Sequence, residues 1–327
     1  MDNHPISCYH LGHYFQVDGK QLQEQYKEHI SDFNTWDQKA HASNWMVFTK
    51  NVSTALSINE TALSNGELYT IVTSKAAKGR KGTIVAMIKG TVAEDIIAVL
   101  KKIPERLRKR VQEVTMDMAA NMQLAIKRCF VNAHRVIDRF HVQKLAFDAV
   151  QEARIKYRWE ALDHENEAIT TAKKNKEPYQ AEILSNGDTL KQLLARSRYL
   201  LFKHHSKWTP TQKHRAELLF ERYPLLKKAY DLSLRLGDIF RICKSKEQAF
   251  KRLALWHNEV EESGINSFRT VSRSVQTHYL SILNFFINRS TNASAESFNA
   301  KVKAFRATSR EVRDINFFLF RLSKIYA

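Results

Sequence analysis

The chain has few cysteines, prolines and glycines, and its acidic residues are outnumbered by basic ones. Three cysteines, Cys8, Cys129 and Cys243, are widely spaced and form no C-x-x-C pair, which argues against a disulfide framework and a cysteine zinc site. Each reads as a small packing residue, and a reducing cytoplasm suits them. No apolar run reaches the roughly 18 residues of a membrane span, and Met1 to Gly12 contains no signal-peptide core. Among 327 residues there are 34 Asp and Glu against 52 Lys and Arg, a net charge of +18. A polyanionic partner is the simplest use for that surplus, and nucleic acid comes first. An RNA-binding structural protein would share the charge, so charge alone assigns no function. With 43% hydrophobic and 26% charged residues the composition is that of a folded protein, long enough for one large or two ordinary domains.

The breakers are unevenly placed. Gly66, Gly79, Gly82 and Gly90 crowd one segment, whereas only Gly187, Gly237 and Gly264 follow it, among five prolines in all. The C-terminal two-thirds is therefore expected to be mostly helical. Residues 1–50 read as a short, partly helical lead-in. Alternating runs at Thr54–Ile58 and Glu67–Thr73, followed after a Lys78–Gly82 turn by the run Thr83–Ile88, predict an antiparallel meander. A helix from Ala93 to about Ile103, a strand at Val111–Thr115, a helix at Ala119–Cys129 and a strand at Arg135–Ile137 complete a βββαβαβ order. That order predicts an α/β fold, a mixed sheet with helices packed on it. From His141 to about Gln276 apolar residues repeat at three and four. Lys173–Lys176 and Ser185–Asp188 read as solvated loops, and Asn292–Ala327 reads as a basic amphipathic helical pair.

Carboxylates at strand ends are the chemical signal. Asp117 follows one predicted strand and Asp138 another, at the rim where α/β sheets commonly bind ligands. On a helix through Ser290–Lys301 and beyond, Glu296, Asn299 and Lys303 share a face. An acid, an amide and a cation so aligned would suit a metal ion beside a phosphate backbone. The plainer reading of each residue competes: an Asp after a strand commonly caps a turn or helix, and a lone helical Glu is commonly solvated. Trp208, Trp256, Phe285 and Phe286 read as helical core rather than base-stacking platforms.

Three segments in order carry a resemblance. Val114-Thr115-Met116-Asp117-Met118, then Asn132 through Asp138-Arg139-Phe140-His141 to Leu145, then Ser290–Lys303, resemble the signature of the ISL-three family of bacterial insertion-sequence transposases. Leu56 to Leu63 joins the same resemblance, which covers roughly residues 50–327. It implies an RNase H-like fold with a DDE site, in which three carboxylates hold two divalent metals, Mg²⁺ with Mn²⁺ as a substitute. Asp117 would be the second acid and Glu296 the third, both metal ligands. Asp138 and His141 match an accessory Asp-x-x-His element, with Asn299 a further accessory residue. The long separation of Asp117 and Glu296 then contains a helical insertion, 142–285, between core segments 51–141 and 286–327. The row Lys301, Lys303, Arg306, Arg310 and Arg313, which follows the glutamate, would contact DNA. The basic runs Lys75–Lys81 and Lys101–Arg110 read more simply as solvated faces.

Two departures matter. Asn59 stands where the family pattern has its first Asp. An amide offers a carbonyl oxygen but no charge, so weak metal binding and poor or absent DNA cleavage are expected. Glu60 cannot substitute, because strand alternation points it to the other face. Two histories fit that residue, a decayed natural copy and a deliberate inactivation. Family members also commonly carry an N-terminal zinc and helix-turn-helix segment. With Cys8 the only cysteine before Cys129, such a module is not expected here, so a separate polypeptide would supply end recognition or the chain is a catalytic part alone. The resemblance thus implies a transposase subunit, cytoplasmic and nucleoid-associated, that cuts and joins transposon ends and target DNA as a dimer. The rival reading is an inactive relative that occupies DNA ends or regulates an active copy.

Overall fold

A computed structural model describes residues 1–63, 67–308 and 314–327. They form two compact units: Met1–Asp138 with Asn288–Ala327, and Arg139–Ile287.

The first unit is built on a six-stranded sheet. In chain order it begins with helices α1 (Cys8–Phe15) and α2 (Gly19–Gln25), then strands β1 (Trp45–Val47), β2 (Ala55–Ala62), β3 (Leu68–Ser74) and β4 (Ile84–Lys89). Helices α3 (Ala93–Leu100) and α4 (Glu105–Arg110), strand β5 (Glu113–Met116), helix α5 (Ala120–Cys129) and strand β6 (His134–Ile137) follow. The sheet order is β1-β4-β3-β2-β5-β6; the β2–β3–β4 meander is antiparallel, and β5 and β6 add in parallel. The fold is thus α/β and RNase H-like. Residues 1–50 are partly helical, and Trp45–Val47 within them extends the sheet as its edge strand against β4, a strand the sequence reading did not include.

Strand alternation sorts the sheet into two buried layers. Leu56, Ile58, Val114 and Met116 pack with Ile96 and Leu100 of α3 and with Met122 and Ile126 of α5. The opposite layer joins Tyr69, Ile71, Ile84 and Met87 to the last two helices of the chain, α14 (Ala293–Thr308) and α15 (Ile315–Tyr326). The C-terminal pair departs from the basic amphipathic expectation at α15, where every residue from Phe317 to Ser323 is buried. A helix segment buried all round needs its polar groups satisfied internally. Arg321 donates from Nη2 to the carbonyls of Met1, His4 and Ile6, at 2.8, 3.3 and 3.1 Å.

The second unit is helical: α6 (Arg139–Asn175), α7 (Leu190–Arg196), α8 (Pro210–Arg222), α9 (Pro224–Ile242), α10 (Lys246–Ser263), α11 (Asn266–Thr277), α12 (Tyr279–Leu283) and α13 (Phe285–Asn288). The long α6 packs on α7, α9 and α11. Trp256, Phe285 and Phe286 are buried, and Trp256 donates its indole N–H to the Leu232 carbonyl at 2.9 Å. These three aromatics are helical core, as read from the sequence; Trp208, read the same way, is instead half-buried in the loop before α8. Ser185–Asp188 is not simply a solvated loop: Asp188 is fully buried and pairs with Arg196 and, at 3.1 Å, with Arg215. Among the described residues no helix is long and apolar enough to cross a membrane. All three cysteines are buried free thiols.

Candidate active site

The parallel half of the sheet aligns the polar residues. Ser57 of β2 pairs with Thr115 of β5, and Met116 of β5 pairs with Ile137 of β6. Carrying those registers past the end of β5 sets Asn59, Asp117 and Asp138 in one transverse row. Neighbouring strands lie about 4.8 Å apart, so the row is short. The Asp138 N–H donates to the Met116 carbonyl at 3.0 Å, which holds the last step of the row in place. Leu56 and Ile58 face the α3–α5 layer, so Asn59 faces the other, where α14 packs against β2. Glu60 sits with the α5 layer, 3.5 Å from the Asn121 amide nitrogen.

Each member of the row has a distinct environment. The half-buried Asp117 accepts the Ala119 N–H through Oδ1 at 2.8 Å, closing the turn into α5. Asp138 is 2% exposed, and its Oδ2 accepts the backbone N–H of Asn292 at 2.8 Å. Asn292 in turn accepts the Glu296 N–H on its carbonyl at 2.9 Å, so Asp138 anchors the first turn of the helix that carries Glu296. Glu296 itself is exposed on α14. Several buried amide atoms make no hydrogen bond among the described residues: Asn59 Oδ1, Asn299 Oδ1 and both side-chain polar atoms of Asn292. A buried amide oxygen without a partner costs stability unless water, an ion or a ligand group meets it.

Beneath the row lies an ion pair that sequence reading missed. Glu113, Thr115 and Asp117 alternate onto one face of β5 and its continuation. Lys75 Nζ lies 3.1 Å from Glu113 Oε1 and also donates to Thr115 Oγ1, while Asn288 donates to Glu113 Oε2 at 3.0 Å. Burial alone would raise the Glu113 carboxyl. Hydrogen bonds from Ser290 and Asn288, with the Lys75 charge and its hydrogen bond, outweigh that and hold it below the usual range. Burial pushes the Lys75 ammonium down, against the pull of Glu113 and Asp138. The polar alternation of β5 was a readable signal for Glu113. Lys75 had none, since it looked like one more cation of a basic turn.

The remaining residues of interest are scattered. Lys301 donates from Nζ to the Gly79 carbonyl at 3.1 Å, so the far half of α14 is tied to the β3–β4 turn. Lys303 is exposed, and the Arg306 guanidinium lies over the Phe318 ring at 4.9 Å. Arg310 and Arg313 lie outside the described residues. His141 belongs to the helical unit, in the first turn of α6, edge-on to Phe140 with ring centroids 5.7 Å apart. Among the described residues no three His, Cys, Asp or Glu side chains converge as a metal-binding group.

The profile of a transposase family of the DDE type, the ISL-three family, matches residues 56–322. The chain belongs to that family. The match takes in Asn59, Asp117, Asp138 and Glu296 and runs through the helical unit. The transposase for insertion sequence element IS1001 of Bordetella parapertussis is 23% identical over 271 residues, covering 82% of this chain and 59% of that protein. The chain therefore spans less than two-thirds of that relative's length. No solved structure matches it significantly.

DDE transposases generally work with divalent metal ions, and this family member presents the right type of donor. The Asn59 amide oxygen and the carboxylates of Asp117 and Glu296 carry hard oxygen atoms of the kind Mg²⁺ takes. The unpartnered Asn59 Oδ1 suits a ligand atom. The set is nevertheless one negative charge short of three carboxylates.

Proposed function

We propose that the chain is the catalytic subunit of an insertion-sequence transposase, cutting DNA at element ends and joining the ends to target DNA. The observation that carries this reading is the Asn59–Asp117–Asp138 row, in which Asn59 within β2 stands level with the residues just past the ends of the parallel strands β5 and β6, with the Glu296 helix anchored to it through Asn292. In this reading Asp117 and Glu296 hold Mg²⁺, or Mn²⁺ in its place, and Asn59 offers its amide oxygen where a third carboxylate would bind. When bound, two such ions would activate a water or a DNA 3′-OH and stabilise the leaving oxygen of an in-line displacement.

The protein's own groups do the positioning. Asp138 fixes the start of α14 and hence the place of Glu296, and Asp117 is oriented by its bond to Ala119. Asn299 offers a buried amide beside the same face, and His141 would order the site or contact DNA near the cut. Lys301, Lys303 and Arg306, with Arg310 and Arg313 beyond them, would track the phosphate backbone. The nuclease core is assigned to 51–141 and 286–327, with 142–285 a helical insertion behind a lead-in of 1–50. Two element ends are processed together, so the active form is a homodimer on DNA in the nucleoid, with end recognition supplied either by a separate polypeptide or by a part of the transposase beyond this catalytic part.

Asn59 supports one further point: the chain as it stands binds metal weakly and cleaves poorly. It equally favours a second reading, a DNA-binding relative that occupies element ends or regulates an active copy. Mn²⁺-dependent nicking of supercoiled DNA separates the two, measured for this chain, for Asn59→Asp, and for Asn59→Asp with Asp117→Ala. Nicking that appears with Asn59→Asp and vanishes with Asp117→Ala supports the DDE site. Nicking already present with Asn59 would mean that the first ligand lies elsewhere. DNA binding without nicking in all three would favour the binding-only reading.

A further inference from the structure

We propose that the β3–β4 turn, Lys78 to Lys81, joins Lys301 of α14 in one phosphate-binding edge that holds the DNA backbone across the exposed side of α14 from Glu296. The inference rests on the transposase reading and extends it to a segment more than two hundred residues from the basic helix. In the sequence Lys75–Lys81 reads as a solvated charge run, and two structural facts change that.

First, the turn and the helix touch. Lys301 Nζ lies 3.1 Å from the Gly79 carbonyl, and a Cβ on Gly79 would stand 3.3 Å from that nitrogen. A side chain at Gly79 would press on that ammonium, and the φ of +75° there favours glycine in any case. Lys301 has two further N–H donors to offer.

Second, the turn is shaped to display its cations. Lys78 has φ +51°, a left-handed conformation unusual for a residue with a side chain. Lys78, Arg80 and Lys81 are exposed, and among the described residues none of them makes an ion pair. The Lys at the turn's base behaves differently: Lys75 is consumed by Glu113.

Five residues separate Glu296 from Lys301, about 7.5 Å along α14 and about 140° around it, so the two side chains leave the helix on opposite flanks of its buried face. Four cations from two segments, Lys78, Arg80, Lys81 and Lys301, fit a DNA backbone that crosses the exposed side of α14.

The test is the salt dependence of binding to a fluorescein-labelled 30-base-pair duplex, followed by anisotropy. One variant combines Lys78→Gly, Arg80→Gln and Lys81→Gln, with glycine at 78 keeping the left-handed backbone unstrained. A control combines Lys101→Gln, Arg106→Gln and Arg110→Gln, exposed cations of the α3–α4 layer on the other side of the sheet. Each phosphate that the protein no longer neutralises lowers the slope of log K against log salt by about 0.9. The slope of the turn variant is expected to fall by about 2–3 and that of the control by less than 1, with both melting as wild type does. Equal decreases in the two variants, or an unchanged slope in the turn variant, would overturn the proposal while leaving DNA binding intact. No binding by the wild-type chain would overturn the DNA reading and this edge together.

Discussion

Asp138 Oδ2 receives the backbone N–H of Asn292 at 2.8 Å, and this buried bond joins the end of β6 to the start of α14. Two segments separated by the whole helical unit are thereby held at one point of the sheet. At the other end of the crossing, Lys301 holds the same helix to Gly79. Glu296 lies between the two anchors.

Replacing Asp138 therefore tests structure before chemistry. Asp138→Ala strands a buried N–H, at a cost of about 1–3 kcal/mol. Asp138→Asn keeps an acceptor and loses less. Thermal unfolding should order the proteins wild type, Asn, Ala, and an Ala variant as stable as wild type would remove the anchor from the account.

Restoring a carboxylate at 59 has a signature independent of cleavage. Without metal, Asn59→Asp sets an acid in the row with Asp117 and Asp138, and like charges there disfavour the folded state. The variant should melt below wild type in EDTA. With Mn²⁺ at a hundred times its Kd it should recover about 2.7 kcal/mol, while wild type responds little. An Asn59→Asp melting point indifferent to Mn²⁺ would argue against ligation at 59.

The Glu113–Lys75 pair makes stability depend on pH. Glu113 is held below its unfolded pKa of about 4.3, so its contribution is present above that value and is lost as pH falls through the depressed folded pKa. Glu113→Gln keeps most of the shape but not the charge. Its stability deficit against wild type should be full near pH 7 and should shrink below about pH 4. A deficit constant from pH 7 to pH 3 would show that the charge does not matter.

In the helical unit, Asp188 bridges Arg196 and Arg215 from a fully buried position. Burial would raise its carboxyl, but the two guanidiniums outweigh that and hold it below the usual range. Asp188→Ala should cost on the order of 2–3 kcal/mol, less than a fully buried pair because Arg196 is 56% exposed. Urea unfolding checks this, and a loss under about 0.5 kcal/mol would place the pair among ordinary surface ion pairs.

Local pattern was enough for much of this protein. Alternation located β2 and β3 and put Glu60 on the face opposite Asn59, because a strand's period of two is written in its side chains, while short apolar runs between turns and helices located β4 to β6 and so placed Asp117 and Asp138 at strand ends. Helical spacing and the scarcity of breakers marked His141 to about Gln276 as mostly helical, and helices α6 to α11 fill that stretch. Short motifs carried the family, since their order along the chain survives the insertion between them. What the chain order could not contain was decided by packing. The edge strand Trp45–Val47 exists only because β4 offers unpaired backbone groups. The Phe317–Ser323 stretch of α15 is buried on all sides because Arg321 finds three carbonyls from the N-terminal segment. Lys75 became the partner of Glu113, and Lys301 a tie to Gly79, through bonds between residues remote in sequence. A buried charge or polar group is tolerated only where distant groups satisfy it, so its role is settled by the tertiary structure and not by its neighbours in the chain.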